Sequence, residues 1–170
     1  MSIKVFKEEF ALNFNARNPK PWFLVFSYRF SSSFAQSRFI VIKILGIPFR
    51  ILYRFIIEWV MGVEIPDTTK IGHGLKIHHG NGIVVNPYAV IGDRCTLKHG
   101  VTIGCSTDLK DECVGFPKIG NNVIINPNTI VYGDIEIGDN VIIGASSVVN
   151  KSFQSNCIIA GNPARIIKTL

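Results

Sequence analysis

Ile119-Gly120-Asn121-Asn122-Val123-Ile124-Ile125-Asn126-Pro127-Asn128-Thr129-Ile130-Val131 places an aliphatic residue at every sixth position: 119, 125 and 131. The same frame runs back through Ile103, Leu97, Ile91 and Val85, and before them Ile77, Ile71 and Ile65. It runs forward through Ile137, Ile143 and Val149. Glycine often comes next, as at Gly72, Gly92, Gly104, Gly120, Gly138 and Gly144. A small or β-branched residue often sits four places on, as at Thr69, Ala89, Val101, Thr129, Val141 and Ser147. A period of six fits neither a helix nor a lone strand. It fits a short strand plus a tight turn, three of which close one triangular coil. Each aliphatic residue is then expected to point into a prism and stack on its equivalent one coil away, about 4.8 Å along the axis. Glycine is expected to serve the turns, where positive φ is needed.

Two breaks interrupt the frame: two extra residues between Ile77 and Val85, and about ten more between Ile103 and Ile119. Insertions in a coil of this kind become loops protruding at a corner, where sites are built. The reading is mainly β: a helical N-terminal segment at 1–62, a parallel β-helix at 63–150 with a loop insertion at 105–118, and a C-terminal cap at 151–170, expected to be irregular.

Apolar residues make up 47% of the chain and charged ones 18%, a balance that folds rather than staying disordered. Cys95, Cys105, Cys113 and Cys157 form no CxxC pair and have no metal-ligand spacing. The first residues lack an apolar run ending in a cleavage site, so a reducing cytoplasm is expected and a disulfide scaffold is not. The net charge of +6 is uneven: residues 1–62 hold nine Lys/Arg against three Glu, and residues 63–170 nine of each sign. That excludes a nucleic-acid groove along the larger part and points any anionic partner to the N-terminal third.

From Arg38 to Met61 the chain is apolar but for Lys43, Arg50, Arg54 and Glu58, whose spacings put them on one helical face. Pro48 is expected to split this stretch into two helices. Four charges and a proline argue against a membrane span. Two readings stay open: a cap on the first coil or in an oligomer interface, and a basic amphipathic surface resting on the membrane.

All four histidines fall between positions 73 and 99. His78 and His79 occupy the first break. Glu64, fifteen residues before His79, lies close to one coil away, so its carboxylate is expected to hold one ring nitrogen and leave the other as a base. The bland alternative is a turn histidine bonded to backbone.

The stretch Gly62-Val63-Glu64-Ile65, followed by Ile71-Gly72-His73-Gly74-Leu75-Lys76-Ile77-His78-His79-Gly80-Asn81-Gly82, resembles the core of the serine acetyltransferases. Val101-Thr102-Ile103-Gly104, Pro117-Lys118-Ile119-Gly120 and Ala160-Gly161-Asn162-Pro163-Ala164-Arg165 extend the likeness over about residues 62–166. The resemblance implies a homotrimeric left-handed β-helix with acetyl-CoA between adjacent subunits. It puts His79 in the place of the base and Glu64 in that of its orienting aspartate. It puts Cys105, Pro127 and Ala145 along the CoA channel and lets Lys151, Arg165 and Lys168 meet CoA phosphates. The amides near Gly104 and Cys105 become candidates for oxyanion stabilisation.

This chain departs from that family in two places. The residue before the base is His78 rather than an aspartate, and Gly115-Phe116 replaces an Arg-His pair. A serine acceptor needs the missing charges. Phe26-Ser27-Tyr28-Arg29, Leu52-Tyr53-Arg54 through Glu58, and Ile77-His78-His79-Gly80 are more similar to the colanic acid and capsular polysaccharide O-acetyltransferases. That likeness spans nearly the whole chain and implies a sugar hydroxyl as acceptor, either free or on a lipid-linked glycan. His78, Asn81, Asn86 and Phe116 suit hydrogen bonding and stacking with a sugar. His79 and His99 are expected to stack at a solvent-facing turn. A zinc site from His73, His78 and His99 is the weakest alternative, and no metal is expected. A serine acetyltransferase with an altered pocket and a non-catalytic scaffold are the other readings carried forward.

Overall fold

A computed structural model describes residues 3–108, 110 and 112–170. The six-residue frame folds as three parallel sheets visited in turn. The first face stacks Lys70–Ile71, Val90–Ile91, Lys118–Ile119 and Glu136–Ile137. The second stacks Lys76–His78, Thr96–Lys98, Ile124–Ile125, Ile142–Ile143 and Cys157–Gly161; the third stacks Val84–Val85, Thr102–Gly104, Ile130–Tyr132 and Val148–Val149. Uninterrupted coils pair residues eighteen apart, as in Ile124 with Ile142. Across the first break the offset is twenty (Lys76 with Thr96), and across the second it is twenty-eight (Val90 with Lys118). Both insertions therefore leave the register of the prism intact.

All thirteen aliphatic positions of the frame are buried, and the residues between them at Ile83, Val101, Val123, Thr129, Val141 and Ser147 fill the corners. Leu97 sits fully buried on a rung between Ile77 and Ile125. Leu97→Ala is expected to cost about 2–5 kcal/mol in a denaturant melt, because the stack cannot collapse around one missing side chain.

Gly74, Gly80, Gly82 and Gly100 take left-handed turns as expected, but the glycines that follow the aliphatic residues do different work. Gly72, Gly92, Gly120 and Gly138 are not in the left-handed region; instead the next coil passes too close for a side chain. A Cβ on Gly92 would lie 2.6 Å from Gly120 O, and one on Gly138 2.5 Å from Ser155 N. At the corner between the first and second faces the positive φ falls on Gly74 in the first coil and then on Arg94, Asn122, Asn140 and Asn156. Asparagine tolerates that conformation because its amide bonds locally. Here the amides also form a ladder, Asn122 donating to Asn140 at 3.1 Å and Asn140 to Asn156 at 2.9 Å.

The C-terminal segment is more regular than its composition implies. Phe153 bridges to Ile137, Ile159 continues the inward stack fully buried, and Cys157–Gly161 adds a rung to the second face. Ala164–Thr169 then returns antiparallel and closes that face. Phe153 and Ile159 are six apart, but the shortened turn after Val149 hides them from the frame.

The other end of the prism is closed by helices α1 (Ile3–Asn13), α2 (Lys20–Ala35) and α3 (Ile40–Arg54), the last running into a π-helical turn, Phe55–Val60. A bare first rung would expose a row of backbone donors and acceptors. Helix side chains satisfy them. Asn13 donates to Leu75 O and accepts from Ile77 N, both at 2.8 Å. Glu9 accepts from Gly74 N and Leu75 N and pairs with Arg29 at 2.7 Å. Arg29 in turn donates to Ile71 O and Gly72 O. Tyr28 and Tyr53 hydroxyls donate to Thr69 O and Ile65 O.

Pro48 does not divide the chain into two helices: α3 is continuous through it. An interior proline costs about 3 kcal/mol, but this helix is held on both sides of it. Gly46 lies so close to Phe34 that an added Cβ would come within 2.5 Å of its ring, and Arg50 pairs with the buried Asp67 at 2.7 Å.

Candidate active site

Register carries one column of residues down the corner between the second and third faces. His78 pairs with Lys98, so His79 stands over His99. The pairing of Ile125 with both Leu97 and Ile143 puts Pro127 and Ala145 next in that column. Backbone bonds fix it: Gly100 N to Asn81 O at 2.8 Å, Asn128 N to His99 O at 3.0 Å, and Ser146 N to Pro127 O at 2.9 Å. The candidate base and two of the residues proposed for the coenzyme therefore share one edge of the prism.

His79 is exposed and sits at φ 67°. A histidine in the left-handed region costs on the order of 1–2 kcal/mol relative to glycine, and such strain collects at functional sites. The two-residue insertion causes it: His79 and Gly80 turn together, and Gly80 is buried against Leu24 of α2. The His79 and His99 rings meet edge-on, 5.8 Å apart at 74°, which is the stacking the repeat predicts. His99 Nδ1 is buried without a hydrogen-bond partner among the described residues. Burial holds the half-buried His78 below the usual histidine range, and Lys76, Lys98 and His79 push the same way. His78 therefore offers a neutral ring, able to donate and accept.

Glu64 does not make the expected contact. The coil at this point is twenty residues long, so Glu64 pairs with Val84, five positions past His79 on the third face. It is exposed there, and no side-chain hydrogen bond joins it to His79 among the described residues. Lys20 is a neighbour that the sequence did not reveal: its ammonium donates to Asn81 Oδ1. Sixty-one residues separate the two, and only the docking of α2 brings them together.

At the opposite end of the third face a second group gathers. Asn86 accepts from Tyr88 N at 2.9 Å, and the Tyr88 and Phe116 rings lie 4.9 Å apart. Gly104 is still within the ladder, paired with Tyr132, so its N–H faces a sheet partner and Cys105 carries the first amide beyond the strand. Cys105 is not a free thiol. Ser106–Thr107 folds back on Cys113–Gly115, and Cys105 and Cys113 are joined by a disulfide, their Cα atoms 5.6 Å apart. This corrects the expectation of reduced cysteines: the antiparallel hairpin brings together two residues that spacing alone does not pair. Cys95 and Cys157 are free and buried; burial pushes the Cys95 thiol up to about 11.

His78, His79 and Asn81 thus stand at one corner of the chain, and Asn86, Cys105 and Phe116 at another. Lys151 and Arg165 line a common hollow at the C-terminal end, and Lys168 lies exposed on the closing antiparallel strand. Among the described residues no three His, Cys, Asp or Glu side chains cluster as metal ligands. Down the corner column the side chains become smaller, from His79 and His99 through Pro127 to Ala145, and a Cβ on neighbouring Gly144 would come within 2.7 Å of Ala160.

Stacked six-residue turns of this kind are the repeat of a class of bacterial transferases. Residues 116–151 match the family model for bacterial transferase hexapeptide (six repeats). Over 157 residues the chain is 38% identical to the colanic acid biosynthesis acetyltransferase WcaB of Escherichia coli strain K12, covering 91% of this chain and 95% of that protein. The chain belongs to this family of hexapeptide-repeat acetyltransferases. The solved soybean serine acetyltransferase apoenzyme superposes with a TM-score of 0.69 at 30% identity, over 85% of this chain and 56% of that one. A serine acetyltransferase in complex with CoA superposes at 0.66 with 31% identity, over 85% and 55%. The chain spans a little over half the length of those two solved enzymes.

Proposed function

We propose that this protein transfers acetyl from acetyl-CoA to a sugar hydroxyl of a surface polysaccharide or its precursor. The observation that carries the reading is the exposed, strained His79 on a corner column with Pro127 and Ala145. The match to WcaB along nearly the whole of both chains supports the acceptor class. We read the coil as left-handed and the assembly as a homotrimer, with 1–62 as the helical cap, 63–150 as the coil and 151–170 as its C-terminal closure. In such a trimer the His79 corner of one protomer faces the Asn86–Phe116 corner of its neighbour, which unites the two groups that lie apart in one chain.

Acetyl-CoA, when bound, supplies a thioester whose leaving thiol needs little acid assistance, since its pKa is about 8.5. His79 takes the proton from the acceptor hydroxyl as its oxygen bonds to the acyl carbon, and returns it to the departing sulfur. The Cys105 amide, with Gly104 setting its direction, faces the developing oxyanion. Pro127 and Ala145 line the pantetheine path, while Lys151, Arg165 and Lys168 lie where phosphates end. His78 and Asn81 bond the sugar, with Lys20 holding Asn81 in place, and Asn86 and Phe116 complete the pocket from the neighbour.

A screen of acceptors with acetyl-CoA held fixed and thiol release followed tests this. Neutral glycans are expected to be turned over and L-serine is not, because His78 and Phe116 carry none of the charges an amino acid needs. Turnover of L-serine alone would instead select the serine acetyltransferase reading. A scaffold would show no rise in Tm on adding CoA. Phe116→Ala is expected to raise the acceptor KM about 10-fold through lost stacking while leaving the acetyl-CoA KM unchanged.

A further inference from the structure

The helix α3 is amphipathic in the reverse sense. Its inward stripe is Gly46, Arg50 and Tyr53, continued by Ile57, and this small and polar stripe rests on Phe34, Asp67 and the backbone of Ile65. Its outward side is Ile40, Val41, Ile44, Leu45, Ile47 and Ile51, all exposed, flanked by Phe39 at one end and Phe55 and Trp59 at the other. Trp59 is 82% exposed. On an ordinary surface helix the two sides would be exchanged. Of the charges that share a helical face in the sequence, Arg50 faces the prism while Lys43 and Arg54 are exposed, and the oily side faces out.

The surroundings say what covers that side. Between Phe10 and Ile57 there is no acidic residue, while Arg17, Lys20, Arg29, Arg38, Lys43, Arg50 and Arg54 are basic. Arg29 and Arg50 are taken by Glu9 and Asp67; Arg38, Lys43 and Arg54 rim the apolar surface exposed to solvent. A second copy docked on the same face would bring like charges together. Phe23, Phe26, Phe30, Phe49, Leu52 and Ile56 line an apolar groove between α2 and α3 that widens the oily area. Among the described residues no helix is long and apolar enough to cross a membrane, so a bilayer would meet this surface along its face rather than be spanned by it.

We infer that α3 and the π-helical turn after it dock in the interfacial layer of a bilayer rich in anionic lipid. This rests on the trimeric polysaccharide acetyltransferase reading and deepens it. Among the described residues the helices bond only to the first rung of the coil, so they sit at one end of the prism rather than along its sides. Three parallel prisms then present three apolar caps in one plane, and a glycan carried on a membrane lipid would reach the active site from that plane.

The test is flotation of the full-length protein with vesicles, which needs neither acceptor nor turnover and so fails independently of the proposed activity. Phosphatidylcholine vesicles with about 30% phosphatidylglycerol are expected to carry the protein up the gradient, and phosphatidylcholine alone much less. In a Trp22→Phe background the emission of Trp59 is expected to shift to the blue on adding the anionic vesicles. Leu45→Asp with Trp59→Asp is expected to lower binding at least about 10-fold without changing the melting temperature, since both side chains are exposed. Arg38→Glu with Lys43→Glu, which keeps the apolar face, is expected to abolish the preference for anionic vesicles. The inference is overturned if the protein stays in the aqueous fraction with both vesicle types. It is equally overturned if Leu45→Asp with Trp59→Asp halves the particle mass, which would show a second copy on that face.

Discussion

His79→Asn is expected to lower turnover at least about 100-fold while CoA binding, read by the rise in Tm it causes, is retained. Asparagine is the informative replacement because the position is left-handed, with φ 67°. Asn tolerates that conformation better than most residues, so the corner keeps its shape and the melting temperature is expected to hold or rise. Loss of activity then reports the missing base, not a collapsed turn. His79→Ala should lose as much turnover and melt lower than the Asn variant. Near-normal turnover in the Asn variant would remove His79 from the chemistry.

Arg29→Met is expected to be the most damaging change in the fold, about 3–5 kcal/mol, because it leaves the Glu9 carboxylate buried without its partner. In a chain of this size that is a fall in Tm on the order of 10 °C. A buried ion pair can often be replaced by two apolar residues at little cost. Here it cannot. Glu9 also receives Gly74 N and Leu75 N, and Arg29 also serves Ile71 O and Gly72 O. Arg29→Met with Glu9→Leu is therefore expected to stay at least as unstable as the single variant, since four backbone groups of the first rung remain unpaired. Recovery of wild-type stability in the double variant would show that the pair matters only as a pair of charges.

The geometry of the corner was legible because it rides on the repeat. Once 77 and 97 are equivalent positions, His79 over His99 follows; Pro127 and Ala145 came from the family resemblance alone, and the register puts them in the same column. Glu64 was misread for the same reason: fifteen residues is near one coil of eighteen, but the two-residue insertion makes that coil twenty. Lys20 left no signal, since nothing periodic links α2 to residue 81. Nor did the Cys105–Cys113 disulfide, which exists because the inserted loop folds as a hairpin.

By itself, the sequence determined the three-sided coil, its breaks and the corner at which His79 stands. A six-residue period is local, and burying one aliphatic side chain per turn leaves a single way to stack the turns. Only the tertiary structure decided how the open first rung is closed, which way α3 faces and where asparagine rather than glycine takes the left-handed seats. Those outcomes depend on contacts between segments tens of residues apart, where hydrogen bonds such as Asn13 to Leu75 and Arg29 to Ile71 outweigh any preference of the helices alone.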